Sequence, residues 1–136
     1  MSRRGLQVVL AFLGTVAVFS GLSGMVAGPV VLPGAGPVDA TVDSEFRFVN
    51  AFWSVAGVLV WWAVPRIERA TTVLRMTLGA AFVGGLARLI AVAVSGWPHP
   101  VFIGALVIEL VVVPVVLWWQ ARVVRSARVA VSARYL

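Results

Sequence analysis

Apolar residues fall into four long runs, from about Leu6 to Ala27, Phe46 to Val64, Thr72 to Val94 and Val101 to Trp119. Each is close to the ~20 residues that a helix needs to cross the hydrocarbon core of a bilayer. None shows the strict alternation of a barrel strand, and four runs in so short a chain cannot close a barrel, so helices are the expected spanning elements. The positions between the runs agree. Gly28, Pro29, Pro33, Gly34, Gly36 and Pro37 interrupt the chain after the first run. Asp43 and Ser44 are expected N-caps of the second helix, with Glu45 near the positive end of its dipole. Pro65 ends the second run, and Ser95-Gly96-Trp97-Pro98-His99-Pro100 predicts a tight turn between the third and fourth. The pattern predicts an all-α integral membrane bundle of four transmembrane helices in a single domain, 1–136, with a basic tail from 120 to 136.

Composition strengthens this picture. The chain is 61% hydrophobic and 12% charged, with a mean hydropathy of +1.02. Soluble domains are about 45–50% apolar, so the expected partner of most side chains is the lipid bilayer. The net charge of +6 comes from eleven basic residues, all of them Arg. Most cluster at the ends of apolar runs rather than on a polar face, which argues against nucleic acid as a partner. Arg3, Arg4, Arg66, Arg69, Arg75, Arg122, Arg125, Arg128 and Arg134 share one side of a four-span topology; the opposite loops hold only Asp39 and Asp43. Positive-inside bias makes both termini cytoplasmic in a multi-pass protein of the plasma membrane. Trp61, Trp62, Trp118 and Trp119 then form an inner aromatic belt, with Trp97 at the outer surface. The tail from Arg122 to Leu136 is expected to lie along the inner surface, basic on one side and apolar on the other. The first run also has features of a signal peptide, with Gly21-Leu22-Ser23 as a small-residue cleavage site. Met25, Val26 and Ala27 carry it past a typical signal core, which favours a retained span.

The informative residues are those whose polarity does not suit lipid. Arg88 lies eight residues before Gly96, about 12 Å deep at 1.5 Å per residue, and Glu109 nine residues after Pro100, about 13 Å deep. The two runs are joined by a short turn and must be antiparallel neighbours, so these side chains can meet. Counted from Ser44, Asn50 is about 9 Å and Ser54 about 15 Å deep; Ser20 is about 10 Å from Ala27. Ser20, Asn50, Ser54, Arg88 and Glu109 are therefore expected in one polar layer of the outer half, with Arg47 a turn above Asn50 near the rim. An intramembrane charge costs roughly 2.5–3.5 kcal/mol on insertion scales. The layer is then either a closed ion pair fixing helix register or a polar pocket, open to the outside, that takes a small ligand, a lipid headgroup or a proton. A protonated Glu109 without a partner is a further alternative. Pro114 has no N–H, which frees the Leu110 carbonyl beside Glu109 and predicts a kink. Ser20, Gly24 and Gly28, and Ala80 with Gly84 and Ala81 with Gly85, recur at the four-residue spacing that lets helix backbones approach in lipid. They suit packing within the bundle, against other membrane subunits or in a homo-oligomer.

Candidate chemistry is sparse. The chain has no Cys, and its single His99, between two prolines, is expected at the surface. No nucleophile–base pair, phosphate loop or metal-ligand cluster is present, so no catalytic residue, metal or cofactor is expected. Asp43-Ser44-Glu45-Phe46-Arg47-Phe48 before Trp53, Leu74-Arg75, Gly84-Gly85-Leu86-Ala87-Arg88, Gly96-Trp97-Pro98, and Glu109 with Pro114 together resemble domain-of-unknown-function family 4345. That resemblance implies a small four-span protein of a bacterial inner membrane, distantly similar to DoxX-like proteins, some of which are linked to quinone-dependent redox chemistry. The function expected first is a non-enzymatic accessory or interaction subunit. The alternatives are a binder or carrier of a small molecule or lipid through the polar layer, and a quinone-linked redox accessory.

Overall fold

The computed structural model describes residues 2–132, with side chains described from 2 to 129. Helix α1 spans Arg3–Ala27, α2 Ala40–Ala63, α3 Thr71–Ser95, α4 Pro100–Val107 and α5 Val113–Ser132. A π turn, Ile108–Val112, fuses α4 and α5 into one rod, and 3₁₀ turns at Gly28–Val31 and Val64–Arg66 extend α1 and α2. Among the described residues this gives four helices long and apolar enough to cross a membrane, and an all-α fold. An even number of antiparallel spans leaves both ends on one face, called here the terminus face; the turn at Gly96 and the loop after Val31 lie on the far face.

Local sequence explains most boundaries. Ser2 caps α1, its hydroxyl accepting from the Gly5 N–H at 3.0 Å. Gly28 ends that helix with φ +75°, and Gly96 ends α3 with φ +86°, conformations in which a side chain would be strained. Pro65 lies at the start of the 3₁₀ turn that closes α2. One expectation needs correction. The cap of α2 is Asp39, which accepts from the N–H groups of Thr41 and Val42, so Asp43 and Ser44 are already inside the helix. The helix starts before the apolar run, at Ala40, so Asp39 takes the cap and Asp43 falls in the first turn. His99 is exposed, as expected, and its ring also caps α4 by accepting from the Val101 N–H at 3.4 Å.

The bundle is packed most closely near the terminus face. Leu6, Leu10, Ile67, Leu74 and Val116 are almost wholly buried there, with Leu78 and Val113 above them. Gln120 lies in the same core, 1% exposed, donating to the Ile67 carbonyl and the Thr71 hydroxyl and accepting from Arg75. It ties the α2–α3 connection to α5. Arg3 bonds Glu68 at 2.6 Å, joining α1 to that same connection. The Arg3 hydrogen bond holds the Glu68 carboxyl below its usual range. Trp61 donates to the Ala11 carbonyl and Thr15, and Arg66 and Arg122 stack on Trp62 and Trp118. The α5 helix continues to Ser132; the remainder of the expected basic tail, Arg134 included, lies outside the described residues.

α1 and α2 form the tightest pair. A Cβ on Gly21 would stand 2.6 Å from the Ser54 nitrogen and 2.8 Å from the Asn50 carbonyl, and one on Gly57 would stand 2.7 Å from the Val18 nitrogen. Such close backbone approach is how helices associate where lipid removes the usual hydrophobic drive. The small-residue face of α1 thus runs through Gly14, Gly21, Gly24 and Gly28, all buried, while Ser20 sits exposed beside it. Of the two α3 pairs, Ala81 and Gly85 are buried against the bundle, whereas Ala80 and Gly84 border open space.

Candidate functional site

On one side of the bundle the α1–α2 pair and the α3–α4 pair stand apart. A groove of about 1390 Å³ lies between the α1–α2 pair and the α3–α4 pair. It runs along α3 from Met76 to Ser95, a span of about 28 Å at the helical rise. Val49, Phe52 and Val55 on its border are more than half exposed, so it is an open trough rather than an enclosed cavity. At Gly84 an added Cβ would meet nothing within 4 Å.

Arg88 and Glu109 share one wall. Arg88 comes from α3, and Glu109 from the π turn, where the chain spends one residue more per turn than an α-helix. Pro114 follows directly; without its N–H the Leu110 carbonyl has no α-helical donor, and the Val113 N–H reaches back to Ile108. The expected kink is therefore a π turn that helps present Glu109 inward. Gly85 makes room for it, since a Cβ there would lie 2.8 Å from that of Glu109. Glu109 is 7% exposed. Arg88 Nε donates to both of its carboxylate oxygens, at 2.9 and 3.2 Å, and the guanidinium lies 5.7 Å from the centre of the Phe102 ring. The Arg88 side chain remains 42% exposed. Its side-chain hydrogen bonds among the described residues all pass through Nε, which leaves Nη1 and Nη2 without a protein acceptor on a side chain that borders the groove.

The other four candidates divide. Ser20 and Asn50 border the groove. Ser20 accepts from Trp53 Nε1 at 3.1 Å and donates to the Val16 carbonyl; the Asn50 amide donates to the Phe46 carbonyl. Ser54 and Arg47 do not border it. Ser54 is buried at the α1–α2 seam, donating to the Asn50 carbonyl. Arg47 pairs with Asp43 at 2.8 Å and donates to the Met25 and Val26 carbonyls, so it closes the C-terminus of α1. The single layer inferred from depth is thus a helix-capping cluster, a helix–helix seam and a groove wall. Depth along a helix carries no information about which way a residue points, and only Arg88 with Glu109 form a direct side-chain pair. Among the described residues, no group of three or more His, Asp or Glu side chains could hold a metal ion.

Over residues 5–120 the chain matches the family described as Domain of unknown function (DUF4345). It belongs to that family. No curated protein and no solved structure matches it. DUF4345 membership covers all four spans, and it takes in every residue of the groove. What the groove can do must therefore be argued from its own chemistry. The residue that sequence reasoning missed on its border is Trp53, whose indole N–H reaches across to Ser20. An indole inside an apolar run gives no polar signal; only the partner reveals it.

Proposed function

We propose that this DUF4345 protein binds a long amphipathic small molecule or lipid in the groove between its two helix pairs. The observation that carries this is an open apolar trough with a charged pair on its wall, one member of which keeps donors free. A closed ion pair serving only register would sit between packed helices with both side chains covered. The trough exceeds the roughly 300–1,000 Å³ of pockets that enclose drug-sized ligands, which suits a long molecule. An accessory role resting on small-residue faces has less support, because Gly14, Gly21, Gly24 and Gly57 are used between the chain's own helices. The Arg distribution supports a plasma-membrane location with both termini cytoplasmic, so the groove belongs to the outer half of the bundle.

The test is native mass spectrometry of protein released from membranes in mild detergent. Wild-type protein is expected to carry an amphiphile adduct that Gly84→Leu weakens or removes, since a leucine there obstructs the trough midway from a position where an added Cβ meets no other atom. Equal adducts on both, or none on either after addition of single-chain amphiphiles, would refute the binding role.

A further inference from the structure

Resting on that reading of the groove, we infer that its occupant is a single-chain amphiphile with an ionised carboxylate head, held by the Nη1/Nη2 fork of Arg88.

The lining of the groove is graded. Ser20, Ser23, Asn50, Arg88, Ser95 and Glu109 stand at or beyond the level of Arg88, toward the far face. From Arg88 down to Met76 the α3 wall runs about 18 Å and carries Thr77 as its one polar side chain. The facing part of α2 supplies Val55, Ala56 and Leu59. A molecule that matches this profile has its head near Arg88 and a long apolar tail directed toward the terminus face.

Arg88 then decides the charge of the head. A guanidinium offers two bidentate edges, one through Nε and one through the paired Nη groups. Glu109 occupies the first with both its oxygens on Nε. The second has no protein acceptor among the described residues, on a side chain that lines the groove, and its geometry matches two oxygens on one atom. A hydroxyl or a carbonyl would use only part of it. Glu109 does not close this edge off, because its own carboxylate is almost fully covered while the Arg88 side chain is 42% exposed. Phe102 against the guanidinium limits the water around it and strengthens what the free donors bind. The depth of the site favours a small head. Arg88 is seven residues below Ser95, about 10 Å along the helix. A carboxylate reaches that level with its tail alone in the trough, whereas a glycerophosphate group would have to leave the membrane surface with its whole polar backbone.

The experiment uses the full chain in neutral detergent at about pH 8.5, where a carboxyl is ionised. Palmitate, hexadecanol and phosphatidylglycerol are titrated separately, with adducts quantified by native mass spectrometry. Palmitate is expected to bind about tenfold more tightly than hexadecanol, the gain of charge-assisted hydrogen bonds at one fork. The double variant Arg88→Gln/Glu109→Gln removes both charges together, which avoids a stranded carboxylate, and should make the two ligands equal. Arg88→Lys keeps the charge but not the fork and should fall between. Palmitate and hexadecanol binding equally to wild type, both lost in Gly84→Leu, would overturn the carboxylate while leaving the amphiphile groove intact. Phosphatidylglycerol binding more tightly than palmitate would overturn the single-chain head in the same way. Absence of all three from wild type would remove the binding role itself.

Discussion

The two halves of this bundle are made from much the same residues and behave in opposite ways. Toward the termini, Leu6, Leu10, Ile67, Leu74 and Val116 close around one another, and a buried Gln120 finds partners for its amide. Toward the far face, Phe46, Phe52, Ala80, Ala87 and Leu106 border space instead of each other. Hydrophobicity does not separate them, and in lipid it cannot, because an apolar side chain loses little by facing acyl chains. What separates them is steric fit and hydrogen bonding. Gly21, Gly24 and Gly57 bring α1 onto α2, while Gly84 has the same size and no neighbour to accept. A small residue permits close packing; it takes a matching surface on the next helix to produce it.

The largest effect that should expose this contrast is a pair of identical changes. Gly21→Leu forces a side chain into the α2 backbone and is expected to destabilise the fold by about 3 kcal/mol or more. Gly84→Leu should leave stability unchanged or slightly raised, because leucine is the better helix former. Thermal unfolding in detergent followed by size-exclusion yield compares them, and similar losses in both would erase the distinction between the packed α1–α2 seam and the open groove.

Next in size is the charged pair, where exposure predicts an asymmetry. Arg88→Leu strands a carboxylate that is almost covered, at a cost of about 2–3 kcal/mol. Glu109→Leu strands a guanidinium that still reaches the open groove, so its cost should be less than half as much. The double change should recover most of the Arg88→Leu loss. Additive losses with no recovery would mean that the 2.9 Å contact does not hold in the bilayer. Gln120→Leu follows, at about 1–2 kcal/mol, since the Thr71 hydroxyl and Ile67 carbonyl lose a donor while the apolar volume is kept. It should leave amphiphile adducts untouched, because no atom of Gln120 borders the groove.

The smallest effect is electrostatic. The folded-state Glu68 carboxyl is held below its usual range by Arg3, so it binds its proton less readily than in the unfolded chain. Its stabilising contribution is present at neutral pH and disappears as pH falls through the ordinary carboxylate range and below. The pair is largely exposed, so screening leaves it a minor term. Melting temperatures of wild type and Glu68→Gln should differ slightly at pH 7 and converge in acid, and a gap that widens in acid would contradict the pairing.

Spans, turns and the Arg88–Glu109 pair were legible in the sequence because each rests on one-dimensional information: run length, breaker residues, and depth on two helices joined by a short turn. Ser54, placed in the layer by depth, and Arg47, placed near the rim above it, do not border the groove, since depth along a helix carries no direction. Arg47 turned to the free carbonyls of α1, a destination that only the path of the α1–α2 loop decides. Gln120 carries no signal of its buried role in the sequence, because one amide near the end of an apolar run looks like an interfacial residue. The groove could not be read at all, as a void is a property of surfaces that fail to meet.

The π turn at Ile108–Val112 has a consequence for how the fourth span tolerates changes in length. Each residue of an α-helix turns the chain by about 100°. One surplus residue absorbed in the wider turn therefore leaves the two segments facing as they would in an unbroken α-helix one residue shorter. Val113, Val116 and Gln120 anchor the lower segment in the packed core, so insertion of one further residue between Leu110 and Val112, beyond the one the turn already absorbs, should rotate the upper segment while the lower stays in place. Glu109 would swing off its Arg88, and the groove would acquire an unbalanced cation with every side chain still present in the sequence. The sign of the site is in this sense a matter of counting, fixed by how many residues lie between two anchors.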